Sequence, residues 1–305
     1  MITSIFSKSK PINIIIVLVF VGLLFVISNY TTVFINFNSS LSGLAKLVIA
    51  LFSVFLSDFI ISKNSLTKKN SYAIMTFGLL FALFPEALKY SDLLLSNLFI
   101  LFALRRIISL HTRVNVKKKL FDAAFWIAMA TLFYFLAILF FAILIVALIY
   151  HSQNDVKNTI VPLTGVITVA VLMLSYNIIF YDVFFKDSNF NLSVSIDYTA
   201  YNSTESIIKL TTIFVAFIWI VVYFFKNLGD KNKKIRPSYF LIAWSAIIAI
   251  LIAIISPVKN GSEFLFLFAP FSIIMANYIE VITERWFKEL FVSIFIIIPL
   301  VSLVL

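Results

Sequence analysis

Long apolar runs alternate with short polar segments along the whole chain. None of the ten runs contains more than two charged residues. Segments such as INIIIVLVFVGLLFVI (12–27) do not alternate apolar and polar residues, so they are unlike the strands of a membrane barrel. The runs fall near 12–28, 44–61, 72–84, 93–110, 121–150, 159–180, 207–225, 239–256, 264–282 and 289–305.

Most of these runs are long enough to cross a bilayer as helices, since about 20 apolar residues span the ~30 Å hydrocarbon core. The chain is 62% hydrophobic and 12% charged, with a mean hydropathy of +1.07, whereas a soluble domain carries about 25% charged residues. The sequence therefore predicts an all-α, polytopic transmembrane helix bundle that forms a single membrane domain over residues 1–305.

The run 121–150 decides how many membrane segments the bundle has, because it is long for one upright helix and short for two. Lys and Arg concentrate in cytoplasmic loops. With the N-terminus in the cytoplasm, a single crossing leaves 14 of the 24 Lys and Arg inside, whereas a double crossing or a re-entrant pair leaves 19 inside. We therefore expect about ten or eleven segments, with the 181–206 loop extracytoplasmic.

One short segment, RRIISLHTRVNVKKKL (105–120), carries six cations and no acid between two apolar runs. The positive-inside rule makes it a cytoplasmic loop. Contact with anionic lipid head groups is also expected, at about 1 kcal/mol for each cation near the surface. A specific phosphate or a membrane-protein partner is the alternative. The six cations are Arg105, Arg106, Arg113, Lys117, Lys118 and Lys119.

Composition excludes several classes of site. The chain has no cysteine, which excludes disulfides, thiolate metal sites and a cysteine nucleophile. Two histidines, His111 and His151, are too few for a multi-histidine iron site. Cytoplasmic loops account for the net charge of +10, so nucleic acid is not an expected partner. Because no P-loop, GxGxxG, HExxH or DxD motif occurs, we expect no cofactor and no metal.

Four acids on the predicted outer side are candidates for catalysis. A carboxylate there could act as general base on a hydroxyl group at the outer leaflet. The alternative is structural: Pro85 stops the third span, an acid solvates the break, and the tyrosines of the 181–206 loop lie in the interfacial aromatic belt. The candidate acids are Glu86, Asp92, Asp182 and Asp187.

Two lysines, Lys259 and Lys209, lie at the ends of predicted spans. A lysine at this depth can extend its ammonium to the head groups. The same position suits the phosphate of a polyprenyl-phosphate lipid, for which Lys259 is the first choice. The sequence leaves both interpretations open.

Two stretches, 117–167 and 257–279, resemble membrane glycosyltransferases of the GT-C class. The first runs from KKKLFDAAFWIAMATLF to NTIVPLTGVI, and the second is PVKNGSEFLFLFAPFSIIMANYI. The resemblance implies a polyprenyl-phosphate-linked sugar handled at the outer face. These enzymes carry an essential acid in the first outer loop, and the corresponding segment here, 28–43, contains none.

A longer resemblance runs through MITSIFSKSKPINIII and FPEALKYSDLLLSNLFILFALRRIISL. These segments resemble an uncharacterised membrane-protein family of Bacteroidetes-type bacteria, which implies the bacterial inner membrane. The sequence does not decide whether the protein is an enzyme. We expect a non-enzymatic component that assists envelope or secretion processes; the alternative is a GT-C-like enzyme or a degenerate relative. A transporter has less support, because few ionisable groups lie inside the spans.

Overall fold

The structure, a computed structural model, describes residues 2–33, 37–151, 156–184 and 193–302. The regular elements in these ranges are helices, which confirms the all-α prediction. Short 3₁₀ segments join several of them, at Pro85–Leu88, Ser109–Thr112, Phe135–Phe140, Thr199–Tyr201, Asn227–Asp230 and Ser262–Phe264. The α-helices are α1 (Ile2–Phe6), α2 (Pro11–Val33), α3 (Phe37–Asn64), α4 (Tyr72–Leu83), α5 (Ser91–Ile108), α6 (Val116–Phe133), α7 (Phe141–Tyr150), α8 (Val156–Tyr181), α9 (Thr204–Lys226), α10 (Arg236–Ile255), α11 (Leu265–Val281) and α12 (Arg285–Ser302).

Seven helical stretches in the described ranges are long and apolar enough to cross a membrane. Tyr72–Leu83 and Phe135–Tyr150 are shorter apolar helices. The chain is therefore a membrane protein with several spans, as its hydropathy pattern predicts. The seven stretches are Pro11–Tyr30, Ser40–Asn64, Ser91–Thr112, Asn158–Tyr181, Thr204–Asp230, Arg236–Ile255 and Ser262–Val281.

Helix α11 forms the centre of the bundle. Its residues 265–279 are all buried, and it packs against α4, α5, α9 and α10. Phenylalanine rings fill the contact with α4: Phe268 meets Phe81 edge to face at 5.1 Å and Phe77 at 6.0 Å. Such edge-to-face pairs fix ring geometry beyond what area burial alone provides. The proline inside α11, Pro270, is tolerated because neighbouring helices surround it.

The ends of several helices meet at one end of the bundle, here called the basic end. The Thr3 hydroxyl donates to Glu289 at 2.5 Å, which joins α1 to α12. The Asn70 amide donates to Glu280 at 2.6 Å, which joins the segment before α4 to α11. These bonds connect residues more than 200 positions apart, so they fix which helix ends lie together.

The opposite end, here called the Glu86 end, is joined in the same way. The Asn29 amide of α2 donates to the carbonyl of Leu88 at 3.3 Å. The Tyr134 hydroxyl donates to the Ser256 hydroxyl, just after α10, at 2.8 Å. The backbone N–H of Ser195 donates to the Ile255 carbonyl at 3.2 Å. The described part of the 181–206 loop therefore lies at this end.

The chain turns back within the run 121–150. Helix α6 ends where Tyr134 adopts an extended conformation (φ −145°, ψ 107°). Tyr134 lies at the Glu86 end, whereas His151, which follows α7, is close to Arg113 and Lys119 at the basic end. Residues 135–150 thus lead back towards the end where α6 began. No glycine or proline marks the break, so the apolar pattern did not reveal its position.

The segment 28–43 was predicted to be the first outer loop, and its described residues are helical. Helix α2 continues to Val33 and α3 begins at Phe37, with residues 34–36 outside the described ranges. Polar side chains mark where a chain leaves the hydrocarbon. A helix can nevertheless continue past that point, since it keeps its backbone groups hydrogen-bonded.

Candidate functional site

Glu86 is positioned by the way α4 ends. Phe84 leaves the helical conformation (φ −126°, ψ 72°), and Pro85 begins the 3₁₀ turn that carries Glu86. Proline suits this position because the first residue of a helical turn needs no N–H donor. The Phe84 ring stacks on Phe264 at 4.9 Å. The turn is therefore held against the start of α11.

Lys209 of α9 lies between two carboxylates. Its ammonium is 3.3 Å from Glu86 and 2.5 Å from Glu205, which is one helical turn away on α9. Only 6% of Lys209 is exposed. A buried ammonium is stable only when it is paired and hydrogen-bonded, so the two glutamates account for its burial. The bridge to Glu86 ties α9 to the turn after α4.

A third glutamate, Glu263, lies beside this pair. It is fully buried in the 3₁₀ turn before α11. Gly261, at φ +94°, allows this turn to pack on Phe84: a Cβ atom there would lie 2.8 Å from the Phe84 ring and 3.5 Å from Glu86 Oε2. Within the described residues, Glu86 Oε2 and Glu263 Oε1 are buried and accept no hydrogen bond. We call Glu86, Glu205, Lys209 and Glu263 the Glu86 cluster.

Lys259 caps the C-terminus of α10. Its ammonium donates to the carbonyls of Ala253 and Ile254 and lies 4.7 Å above the Tyr198 ring. A cation at this position also interacts favourably with the helix dipole. Lys259 is 7% exposed, and burial lowers its pKa. Its donors are thus directed at the protein backbone.

A cavity of about 580 Å³ opens at the Glu86 end between the start of α5, the break at Tyr134 and residues 257–258. Asp92, in the first turn of α5, lines it and accepts a hydrogen bond from Ser91 at 3.2 Å. Lys89 lines it as well. The cavity therefore brings one exposed ammonium and one carboxylate to an aromatic wall.

The four candidate acids occupy different places. Glu86 joins Lys209 in the Glu86 cluster, and Asp92 lines the adjacent cavity. Asp182 is exposed at the end of α8, with φ +54°. Asp187 lies outside the described residues. The structure thus brings Glu86 and Lys209 together, while Asp92 lies in a separate recess.

Sequence reasoning did not select Glu263 or Gly261. Glu263 could have been selected from the sequence, because it is an acid at the start of an otherwise apolar run. An acid at such a position needs a partner or has a functional role. Gly261 follows Asn260 in a short turn, but its contact with Phe84 depends on packing. Among the described residues, no group of three or more histidines and acids is arranged to hold a metal ion.

At the basic end, the six cations of the 105–119 segment fall into two sets. Arg106 pairs with Asp122 of α6 at 2.8 Å, Arg105 lies 4.7 Å above the Phe59 ring, and Lys119 donates to the Ser109 carbonyl at 2.6 Å. Burial and the neighbouring Arg106 lower the pKa of Lys119. The remaining three are exposed: Arg113, Lys117 and Lys118.

His151 is buried beneath this segment. It is 5% exposed, and its pKa is lowered to about 4 by burial and by the charges of His111, Arg113 and Lys119. A histidine in this environment is neutral at physiological pH. It therefore adds no charge to the basic end.

Residues 1–304 match a family of unknown function (DUF6427), and the chain belongs to this family. Comparison with curated proteins and with solved structures finds no match. The family match agrees with the resemblance to an uncharacterised family. It supports neither a Bacteroidetes origin nor the GT-C resemblance.

Proposed function

We propose that the protein is a non-enzymatic, multi-pass component of the bacterial inner membrane that assists an envelope or secretion process. In this proposal the exposed cations Arg113, Lys117 and Lys118 bind anionic lipid or a membrane-protein partner. The observation that supports this proposal is that the two candidate phosphate-binding lysines at the Glu86 end are bound by other groups of the protein. Lys209 binds two glutamates and Lys259 binds the end of α10, so these lysines stabilise the fold.

The proposed topology has eleven passages in one membrane domain, with the N-terminus and the basic end in the cytoplasm. The positive-inside rule supports this orientation. The return of residues 135–150 towards Arg113 and Lys119 supports a double passage in the run 121–150. The 181–206 loop is then extracytoplasmic.

The proposal is tested with chromosomal variants in the source bacterium, scored for envelope integrity and for protein level in the membrane. We expect the triple variant Arg113→Gln, Lys117→Gln, Lys118→Gln to lose function at a normal protein level. Asp92→Asn and Asp182→Asn should retain it, because neither acid performs chemistry in this proposal. Loss of function in Asp92→Asn at a normal protein level would overturn the non-enzymatic proposal.

A second candidate is a GT-C-like enzyme, or a degenerate relative, that handles a polyprenyl-phosphate-linked sugar at the outer face. The cavity beside Asp92 favours it, because a carboxylate and the Lys89 ammonium share an aromatic recess. Reconstituted protein should then bind polyprenyl phosphate, and Lys89→Gln should weaken that binding. Binding that Lys89→Gln leaves unchanged, but that Lys259→Ala and Lys209→Ala abolish, would point to those two lysines instead.

A further inference from the structure

A groove runs along the side of the bundle between α2, α4 and α12. It has a volume of about 530 Å³. Met75, Leu79 and Ala82 of α4 line it together with side chains of α2 and α12, and residues of α1 and α9 complete the lining. Ile27 and Leu300 on its walls are 69% and 59% exposed. In a bilayer, the α2–α4–α12 groove therefore opens towards lipid.

The length of the groove corresponds to a lipid chain standing along the membrane normal. Its α2 wall extends from Ile16 to Ser28, which at 1.5 Å per residue is about 18 Å. This is about half of the ~30 Å hydrocarbon core, the depth of one leaflet. The apolar wall residues on α2 lie on one face of the helix: Ile16, Val17, Phe20, Leu24 and Ile27.

The polar end of the groove lies near the boundary of the hydrocarbon. Asn13 of α2 bonds Ser71 at the basic end, and Asn29 bonds Leu88 at the Glu86 end. The stretch of α2 between these two asparagines is about 24 Å long at 1.5 Å per residue. A head group at the Glu86 end would therefore meet water while its chain remains in the apolar part of the groove.

Four charged residues line the polar end: Glu86, Lys89, Glu205 and Lys209. Their charges sum to zero. Lys209 is occupied by the two glutamates. Lys89 is exposed and is in no salt bridge with a described residue, and the Glu205 side chain is 42% exposed. The polar end of the groove thus offers one ammonium and one carboxylate to a ligand.

We propose that the α2–α4–α12 groove binds an aminophospholipid with a phosphoethanolamine head group. Lys89 contacts the phosphate, Glu205 accepts hydrogen bonds from the primary amine, and an acyl chain lies along Leu79 and Ala82. Charge complementarity selects this class. Lys209 balances only one of its two glutamates, so an anionic lipid paired with Lys89 would leave one negative charge at the polar end without a compensating cation. A choline head group has no N–H to donate. This inference goes beyond the proposed function and does not rest on it.

The groove is tested by filling it. Purified protein is exchanged into mixed micelles containing equal amounts of phosphatidylethanolamine, phosphatidylglycerol and phosphatidylcholine, and bound lipids are counted by native mass spectrometry. Ala82→Trp places an indole in the groove and should abolish the retained phosphatidylethanolamine. Leu300→Trp places an indole at the opening of the groove towards lipid, and it replaces Ala82→Trp in the assay if Ala82→Trp does not fold. Leu163→Trp, at an exposed position of α8 outside the groove, should retain it.

The head-group assignment is tested by removing its charges. Lys89→Gln and Glu205→Gln should each weaken phosphatidylethanolamine binding about tenfold, which corresponds to about 1.4 kcal/mol. Lys233→Gln, at an exposed lysine outside the groove, is the matched control and should leave phosphatidylethanolamine binding unchanged. Retention of phosphatidylethanolamine by both tryptophan variants would refute the groove as the binding site. Loss of bound phosphatidylglycerol or phosphatidylcholine, instead of phosphatidylethanolamine, in Ala82→Trp would refute the head-group assignment.

Discussion

The ammonium of Lys209 lies 3.3 Å from the Glu86 carboxylate, although the two residues are 123 positions apart in the chain. Removal of one partner from a buried ion pair costs more than the pair itself contributes, because the other charge remains desolvated. Glu86 also has one oxygen that accepts no hydrogen bond from a described residue. The Glu86 cluster should therefore be sensitive to loss of its one cation.

We expect Lys209→Met to destabilise the protein by about 2–3 kcal/mol. This is less than the roughly 3–5 kcal/mol for a fully buried pair, because the Glu86 side chain is 26% exposed. Thermal unfolding in detergent would register this as a fall in Tm of several degrees. Lys89→Met, at an exposed lysine, should change Tm little. Equal effects of the two substitutions would contradict the role of Lys209.

Gly261→Ala should destabilise the turn before α11. Gly261 has φ +94°, and an added Cβ would lie 2.8 Å from the Phe84 ring. Backbone strain and the contact together should cost about 2 kcal/mol. Gly22→Ala in α2 is the matched control, since nothing lies within 4 Å of its Cβ position. A Tm for Gly261→Ala equal to that of Gly22→Ala would show that the turn tolerates a side chain.

The bridge from Arg106 to Asp122 should be measurable by a double-mutant cycle. The two side chains are 33% and 19% exposed, so solvent screens the pair and we expect a coupling free energy of about 1 kcal/mol. Arg106→Gln, Asp122→Asn and the double variant are compared by denaturant unfolding. High salt should reduce the coupling. The control cycle that combines Lys118→Gln with Asp122→Asn should give no coupling free energy.

His151 should make the fold sensitive to acid. Its pKa is about 4 in the folded protein and about 6.5 in an unfolded chain. Below pH 6.5 the unfolded chain therefore binds a proton that the folded protein does not, and stability falls as the pH falls towards 4. The full loss is about 3 kcal/mol. His151→Gln should have a flatter profile over this window. His111→Gln should reduce the slope only in part, because burial is the largest cause of the lowered pKa of His151.

The proposed topology can be tested by labelling, since the chain has no cysteine of its own. Single cysteines are introduced at Ser193, at Lys118 and at Asn154, the last of which lies outside the described residues. A membrane-impermeant thiol reagent added from outside should label Ser193→Cys alone. Labelling of Asn154→Cys without Ser193→Cys would mean that the run 121–150 crosses once.

Hydropathy and charge along the sequence were sufficient to predict the helical class and the membrane setting. Both follow from local rules: an apolar run that crosses lipid must satisfy its backbone hydrogen bonds within itself, and a helix does so. The basic segment 105–119 and the break at Pro85 were also visible in the sequence. Each depends on residues that are adjacent in the chain.

Tertiary structure decided which groups meet. Lys209 pairs with Glu86, and Gly261 contacts Phe84, across separate parts of the chain. Contacts with other helices also decide which of the six cations are bound and which are exposed. The break at Tyr134 carries no local turn signal, and its hydroxyl binds Ser256 across the bundle. Hydropathy cannot encode such contacts, because the bilayer favours every apolar face equally and helix packing alone selects the partner.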